Sequence, residues 1–117
     1  MRDSVYDDST ARLIAALVVA EPAFEPIVDA HFAAYDQVLP HMFMAEVTHW
    51  LAAHGPHPSV LNVLDDAVEW DSRDVRGVIH MSFLEQLTAR DPGHQRIATS
   101  LPPRLRAALI TAGGGNA

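Results

Sequence analysis

Residues 71–89 read DSRDVRGVIHMSFLEQLTA, and they predict the helix at the centre of the fold. Asp71 and Ser72 are start signals, because short polar side chains accept hydrogen bonds from the N–H groups of a helix's first turn. A helix that is apolar on nearly every side is usually buried. On a helical wheel the apolar residues of this stretch reach almost all round, namely Val75, Val78, Ile79, Met81, Phe83, Leu84 and Leu87. We therefore expect one helix from Ser72 to about Ala89 to pass through the core, with Phe83 among its most buried residues.

Proline and glycine divide the rest of the chain into further segments whose apolar residues recur with helical spacing. These segments cover about residues 9–20, 26 to the break at Pro40, 41–53, 59–69 with Ser59 as cap, and 103–110, with a short piece near 95–99. The apolar face of the second segment consists of Ile27, Val28, Phe32 and Tyr35. No stretch shows sustained period-two alternation, so no sheet is expected. The sequence predicts an all-α fold, a compact bundle of five to six short helices.

The length of 117 residues leaves room for a single domain. We place that helical domain over residues 9–112. Residues 1–8 are polar and acidic and predict a flexible arm, whereas residues 113–117 predict a flexible Gly-rich tail.

Composition restricts the classes of function. The chain has no cysteine, which excludes disulfides, thiolate metal sites and cysteine nucleophiles. Fifteen acidic residues against eight arginines give a net charge of −7, and the first 58 residues hold eight of the acids and two of the arginines. This charge repels phosphate backbones, so nucleic-acid binding is not expected and a basic protein is the natural partner.

Neither a signal peptide nor a membrane span is predicted. Residues 1–8 lack the basic region and apolar run of a signal peptide, and the longest apolar run, Leu13 to Ala20, is too short to cross a bilayer. We therefore expect a cytoplasmic protein.

Reactive side chains are densest between His31 and Trp50. His31 falls on the apolar arc of its helix, where burial disfavours the charged form and requires a hydrogen-bond partner. It is either a core histidine that holds two helices in register or a general base oriented by Asp36 or His41. The candidate catalytic residues are thus His31, Asp36 and His41. Ser82 lacks the flanking glycines of a nucleophile elbow.

A metal site has one suggestive spacing. Glu46 and His49 stand three residues apart, as in one helix of a di-iron bundle, but the chain contains no second such pair. A mononuclear site formed by His41, Glu46 and His49 is conceivable. Exposed helix faces also carry Glu and His at this spacing, so no metal or other cofactor is expected.

The side of the fourth segment opposite its apolar face is acidic. Asn62, Asp65, Asp66 and Glu69 project together from it, with Asp71 and Asp74 just beyond. The four residues are the candidate partner-binding set, because an acidic surface speeds association with a basic protein. The alternative is a solvated face that keeps the protein soluble.

Two runs carry a resemblance. Residues 39–50, LPHMFMAEVTHW, and residues 78–85, VIHMSFLE, resemble a family of small all-helical bacterial proteins, mainly from actinobacteria. Some members of such families resemble immunity proteins or antitoxins, which are small, acidic and helical. The resemblance implies a similar inhibitory role and carries no catalytic residue over to this chain.

Three functional hypotheses follow. The leading one is a non-enzymatic binding protein, more specifically an immunity- or antitoxin-like inhibitor of a basic toxin. The first alternative is a small enzyme or metal-dependent protein that uses His31, Asp36, His41 and Glu46. The second is a structural or assembly subunit, with a homodimer formed through apolar surface around Trp50 or Trp70.

Overall fold

Residues 8–88 and 91–111 are described in the computed structural model, and over this part of the chain it contains seven α-helices and no β-strand. The helices are α1 (Asp8–Ala20), α2 (Glu25–Tyr35), α3 (Pro40–His54), α4 (Pro58–Ala67), α5 (Arg73–Ile79), α6 (Pro92–Thr99) and α7 (Pro103–Leu109). The prediction of an all-α fold is confirmed, whereas the predicted number of five to six helices is too low. The additional helix is α6, for which the sequence indicated only a short piece.

Local start signals explain where these helices begin. The side chain of Asp91 accepts a hydrogen bond from the His94 N–H group at 3.2 Å, which caps α6. Proline occupies the first turn of α2, α3, α4, α6 and α7, a position where its missing N–H group is not needed. Because proline cannot continue a preceding helix, these residues also keep the helices short.

The expected cap of α4 is wrong. The residue before the helix is His57, and Ser59 lies inside the first turn, where its hydroxyl donates to the Ala20 carbonyl oxygen at 3.3 Å. The helix also ends at Ala67, so Glu69 lies in the turn that follows it.

The single long helix predicted after Ser72 is divided into three parts. Ser72 caps α5 as expected, since its hydroxyl accepts a hydrogen bond from the Val75 N–H group at 3.1 Å. A π-helical turn over His80–Leu84 follows α5, and a 3₁₀ turn over Glu85–Thr88 follows the π-helical turn. The predicted end at Ala89 lies outside the described residues.

Burial in this region follows the changed backbone. The wider π turn replaces the regular helical register, and the consecutive residues Ser82, Phe83 and Leu84 are all buried. Phe83 is 0% exposed, which confirms its predicted place in the core, whereas Met81 is 57% exposed.

One core joins the elements. Every α-helix except α2 contributes at least one buried apolar side chain to a single cluster. The only buried residue of α2 is His31, and Phe32 and Tyr35 are exposed. Of the predicted apolar face of α2, Ile27 and Val28 are partly buried and pack against the core, whereas the half formed by Phe32 and Tyr35 does not.

No helix among the described residues is long and apolar enough to cross a membrane. The predicted acidic arm and the Gly-rich tail lie outside the described residues, apart from Asp8, which begins α1.

Candidate functional site

The imidazole of His31 anchors α2 to the rest of the protein. His31 is 3% exposed, and its Nδ1 accepts a hydrogen bond from the Leu39 N–H group at 3.1 Å. Its Nε2 lies 2.8 Å from Oε1 of Glu46 on α3. A backbone N–H group can only donate, so Nδ1 must carry the lone pair and Nε2 must carry the proton that it donates to Glu46. His31 is therefore a neutral imidazole that joins α2, the connection to α3, and α3 itself.

Aromatic rings surround the same imidazole. Tyr35 and Phe43 meet it edge-on, with ring centroids 5.8 and 6.2 Å away. Both ring nitrogens are already engaged, so the partner that orients His31 is Glu46 rather than Asp36 or His41. This arrangement matches the core histidine that holds two helices in register, the first of the two interpretations of the sequence.

His41 contacts a residue far away in the sequence. Its Nδ1 lies 2.8 Å from Oγ of the buried Ser82 in the π turn. The hydroxyl of the neighbouring Thr48 lies within hydrogen-bond distance of two carbonyl oxygens that can accept from it, that of Ser82 at 3.1 Å and that of Met44 at 2.8 Å. A serine hydroxyl beside an imidazole has the composition of a nucleophile–base pair, but these contacts equally tie α3 to the π turn.

The structure does not assemble the three candidate metal ligands into a site. Glu46 binds His31, His41 contacts Ser82, and His49 is exposed. Over residues 8–88 and 91–111, no three His, Asp or Glu side chains form a group that could hold a metal ion.

The four residues of the candidate partner-binding set have different surroundings. The half-buried Asp65 accepts hydrogen bonds from the backbone N–H groups of Arg104 and Leu105, at 2.9 and 3.0 Å, and pairs with the Arg104 guanidinium at 3.3 Å. It therefore caps α7 from α4. Asp66 accepts a hydrogen bond from the Trp70 indole N–H at 3.0 Å. Asn62 and Glu69 are exposed, together with Asp66.

A groove of about 680 Å³ lies between α1 and α2, at a place that the sequence did not indicate. Its lining is mostly apolar and comes from both helices and from the connection to α3. The lining residues are Asp8, Thr10, Ala11, Ile14, Ala15, Val18, Val19, Glu25, Val28, Asp29, Phe32, Gln37, Val38 and Pro40.

The connection between α1 and α2 explains why this groove stays open. A 3₁₀ turn over Pro22–Phe24 joins the helices, and the buried Phe24 ties that turn to the core. The opposite side of α1 packs on α4 and α5, while His31 draws α2 toward α3. The sides of α1 and α2 that line the groove are thus only partly covered, since Ile14, Val18 and Val28 are partly buried, whereas Val19 and Phe32 are 82% and 52% exposed.

The described residues that line the groove carry charge of one sign. Asp8, Glu25 and Asp29 are among them, and within residues 8–88 and 91–111 no arginine or histidine lines the groove. The basic side chains of the two helices are used elsewhere, since Arg12 lies over the Trp70 ring at 4.0 Å and His31 binds Glu46. Among the described residues, no ion pair or hydrogen bond engages the side chain of Glu25 or Asp29.

One signal in the sequence could have located the groove. The helix α1 has more apolar residues than one buried face requires, because Ile14 and Val18 stand beside the buried Leu13 and Leu17, and Val19 extends the arc further. An apolar arc wider than its core contact indicates a second apolar contact on the same helix.

Comparison with known proteins gives no match to a family model, to a curated protein or to a solved structure. The resemblance of residues 39–50 and 78–85 to an actinobacterial family therefore stays a prediction, and the case for a function rests on the geometry of the molecule.

Proposed function

We propose that the protein is a non-enzymatic binding protein, and that its groove between α1 and α2 receives a basic segment of a partner protein. The observation that carries this proposal is the composition of the groove, whose described lining is mostly apolar and includes three carboxylates and no basic group. Apolar surface removed from water contributes about 25 cal/mol per Å², which favours a partner with apolar side chains. The carboxylates select a partner of opposite charge and speed its approach.

The exposed apolar residues support the same proposal. Large apolar side chains grouped on a surface and bordered by polar residues are typical of an interaction site. Val19 and Phe32 both line the groove, one from each helix, and both remain exposed. A partner that covers both side chains removes more apolar surface from water than a partner that covers a single isolated residue.

The specific form that we propose is a cytoplasmic, immunity- or antitoxin-like inhibitor of a basic toxin. The net charge of −7 and the three carboxylates that line the groove support it, since both favour a basic partner. An inhibitor of this kind needs no catalytic group of its own.

The alternatives have less support. The enzyme alternative requires His31, Asp36, His41 and Glu46 as its functional residues. His31 and Glu46 are hydrogen-bonded to each other, and none of the four residues lines the groove. The assembly-subunit alternative requires a homodimer formed through apolar surface around Trp50 or Trp70. Trp50 stacks on His54 with centroids 4.2 Å apart, and Trp70 is covered by Arg12.

Selection from a random peptide library displayed on phage tests the proposal without a known partner. The protein is the bait, and the Phe32→Ser variant is the matched control, because it removes apolar surface from the groove without changing the charge of the groove. We expect the enriched peptides to have a net positive charge and to bind the variant weakly. Enriched peptides that are neutral or acidic, or that bind the variant equally well, would contradict the proposal.

A further inference from the structure

We infer that the occupant of the groove is an amphipathic α-helix of about three turns, whose apolar stripe is flanked by Arg or Lys. This inference rests on the proposed function and adds the secondary structure, the length and the charge pattern of the bound segment.

The walls of the groove select a helix over an extended segment. An extended peptide gains affinity mainly through main-chain hydrogen bonds to the edge of a sheet, and the described residues contain no strand. Apart from Gln37 and Val38 in the connection and Pro40 of α3, the described lining belongs to α1 and α2, whose backbone groups bond within their own helices except in the terminal turns. The groove therefore offers mainly side chains and few main-chain partners. An occupant must satisfy its own backbone groups, as an α-helix does.

The length of the wall sets the length of the occupant. The lining of α1 runs from Asp8 to Val19, which at about 1.5 Å per residue corresponds to roughly 17 Å. A helix lying along this wall contacts it over about three turns. Such a helix presents its apolar stripe to Ile14, Val18 and Phe32.

The carboxylates predict where the basic residues stand. Glu25 and Asp29 are four residues apart on α2, so they lie on the same side of that helix, one turn from each other. Asp8 begins α1, whereas Glu25 begins α2 after the turn that follows α1, so negative charge is present toward both ends of the groove. This pattern is complemented by an occupant with two Arg or Lys residues one turn apart, which pair with Glu25 and Asp29. A third Arg or Lys toward the other end of the occupant pairs with Asp8.

A second copy of the chain fits the groove poorly. Two-fold pairing of the grooves would bring Asp8, Glu25 and Asp29 of one copy toward the same carboxylates of the other. Each copy also carries a net charge of −7, so association of this kind is opposed by repulsion.

The test uses three synthetic peptides of about 14 residues, long enough for three turns and their ends. The first has Leu and Lys at helical spacing, the second has the same composition with Leu and Lys alternating, and the third is the first with Glu in place of Lys. Binding is measured by fluorescence anisotropy at low salt, and helix formation by circular dichroism. We expect the first peptide to become helical and to bind at least about tenfold more tightly than the others, a difference of about 1.4 kcal/mol.

The outcomes separate this inference from the proposed function. Equal binding of the first two peptides would overturn the helical occupant and leave the basic partner in place. Equal binding of the acidic peptide would overturn the basic partner itself. The absence of binding by all three would overturn both.

Two variants, each at a residue of similar exposure, test whether the peptide binds in the groove. Phe32→Ser should weaken the first peptide about tenfold, because it removes apolar surface that the peptide covers. Met81→Ser changes an equally exposed residue outside the groove and should leave affinity unchanged. Equal losses in the two variants would overturn the inference. Analytical ultracentrifugation gives a second check. A wild-type dimer that becomes monomeric in Phe32→Ser would also overturn the inference, because a second copy of the chain would then occupy the groove.

Discussion

Two glycines of this protein should respond to alanine in opposite directions. Gly93 stands in the first turn of α6, where a Cβ atom would lie 2.5 Å from the Ala52 carbonyl oxygen and 2.9 Å from a carboxylate oxygen of Asp91. Gly77 stands inside α5, where a Cβ atom would meet nothing within 4 Å. The absence of a side chain at Gly93 therefore permits the close approach of α6 to α3. At Gly77 no such close approach requires a glycine.

The expected magnitudes follow from these distances. Ala52 contributes backbone atoms of α3, which cannot turn aside as a flexible side chain can, so Gly93→Ala has to move α6 away. That movement disturbs the buried Ile97 and the cap at Asp91, and overpacking of this kind costs about 1–3 kcal/mol. Gly77→Ala should stabilise by about 0.5–1 kcal/mol, because alanine loses less conformational entropy than glycine in a helix.

Urea unfolding followed by circular dichroism measures both changes in the free energy of unfolding. The dependence of that free energy on urea should be the same in both variants, so that a shifted midpoint reports stability alone. A Gly93→Ala variant as stable as the wild type would refute the close packing of α6 on α3. A Gly77→Ala variant that loses stability would refute the open surroundings of that position.

Three further predictions concern single residues. Phe83→Ala should lower the free energy of unfolding by about 3–5 kcal/mol, measured in urea, and a loss below about 1 kcal/mol would contradict its central place. Nitrogen NMR at neutral pH should find the His31 proton on Nε2, since Nδ1 accepts from a backbone N–H group, and a proton on Nδ1 would contradict that bond. Hydrogen bonds from the His94 backbone and side chain lower the pKa of Asp91 below its ordinary value of 3.8. The stability that Asp91 contributes is therefore present above that pH and lost as pH falls through the lowered pKa, so wild type and Asp91→Ala should converge in acid unfolding experiments.

The candidate site was predicted only in part. The sequence placed His31 on a partly buried arc and required a hydrogen-bond partner for it, and both follow from local spacing and elementary chemistry. It did not identify Glu46 as that partner, because the two residues are fifteen apart and belong to different helices. Likewise, Asp65 was expected to face a partner protein, whereas it caps α7 from forty residues away.

The amino-acid sequence by itself determined the all-α class, the starts of α2 near Pro26 and of α7 at Pro103, and the burial of Phe83. These features depend on the spacing of apolar residues and on the chemistry of single residues, which act within a few positions along the chain. Only the tertiary structure decided that Phe32 faces outward, that His41 meets Ser82 across forty-one residues, and that α1 and α2 leave a groove between them. The reason is that a helical wheel shows which side chains share a face, whereas the neighbour that covers each face, or leaves it open, is selected by packing between segments distant in sequence.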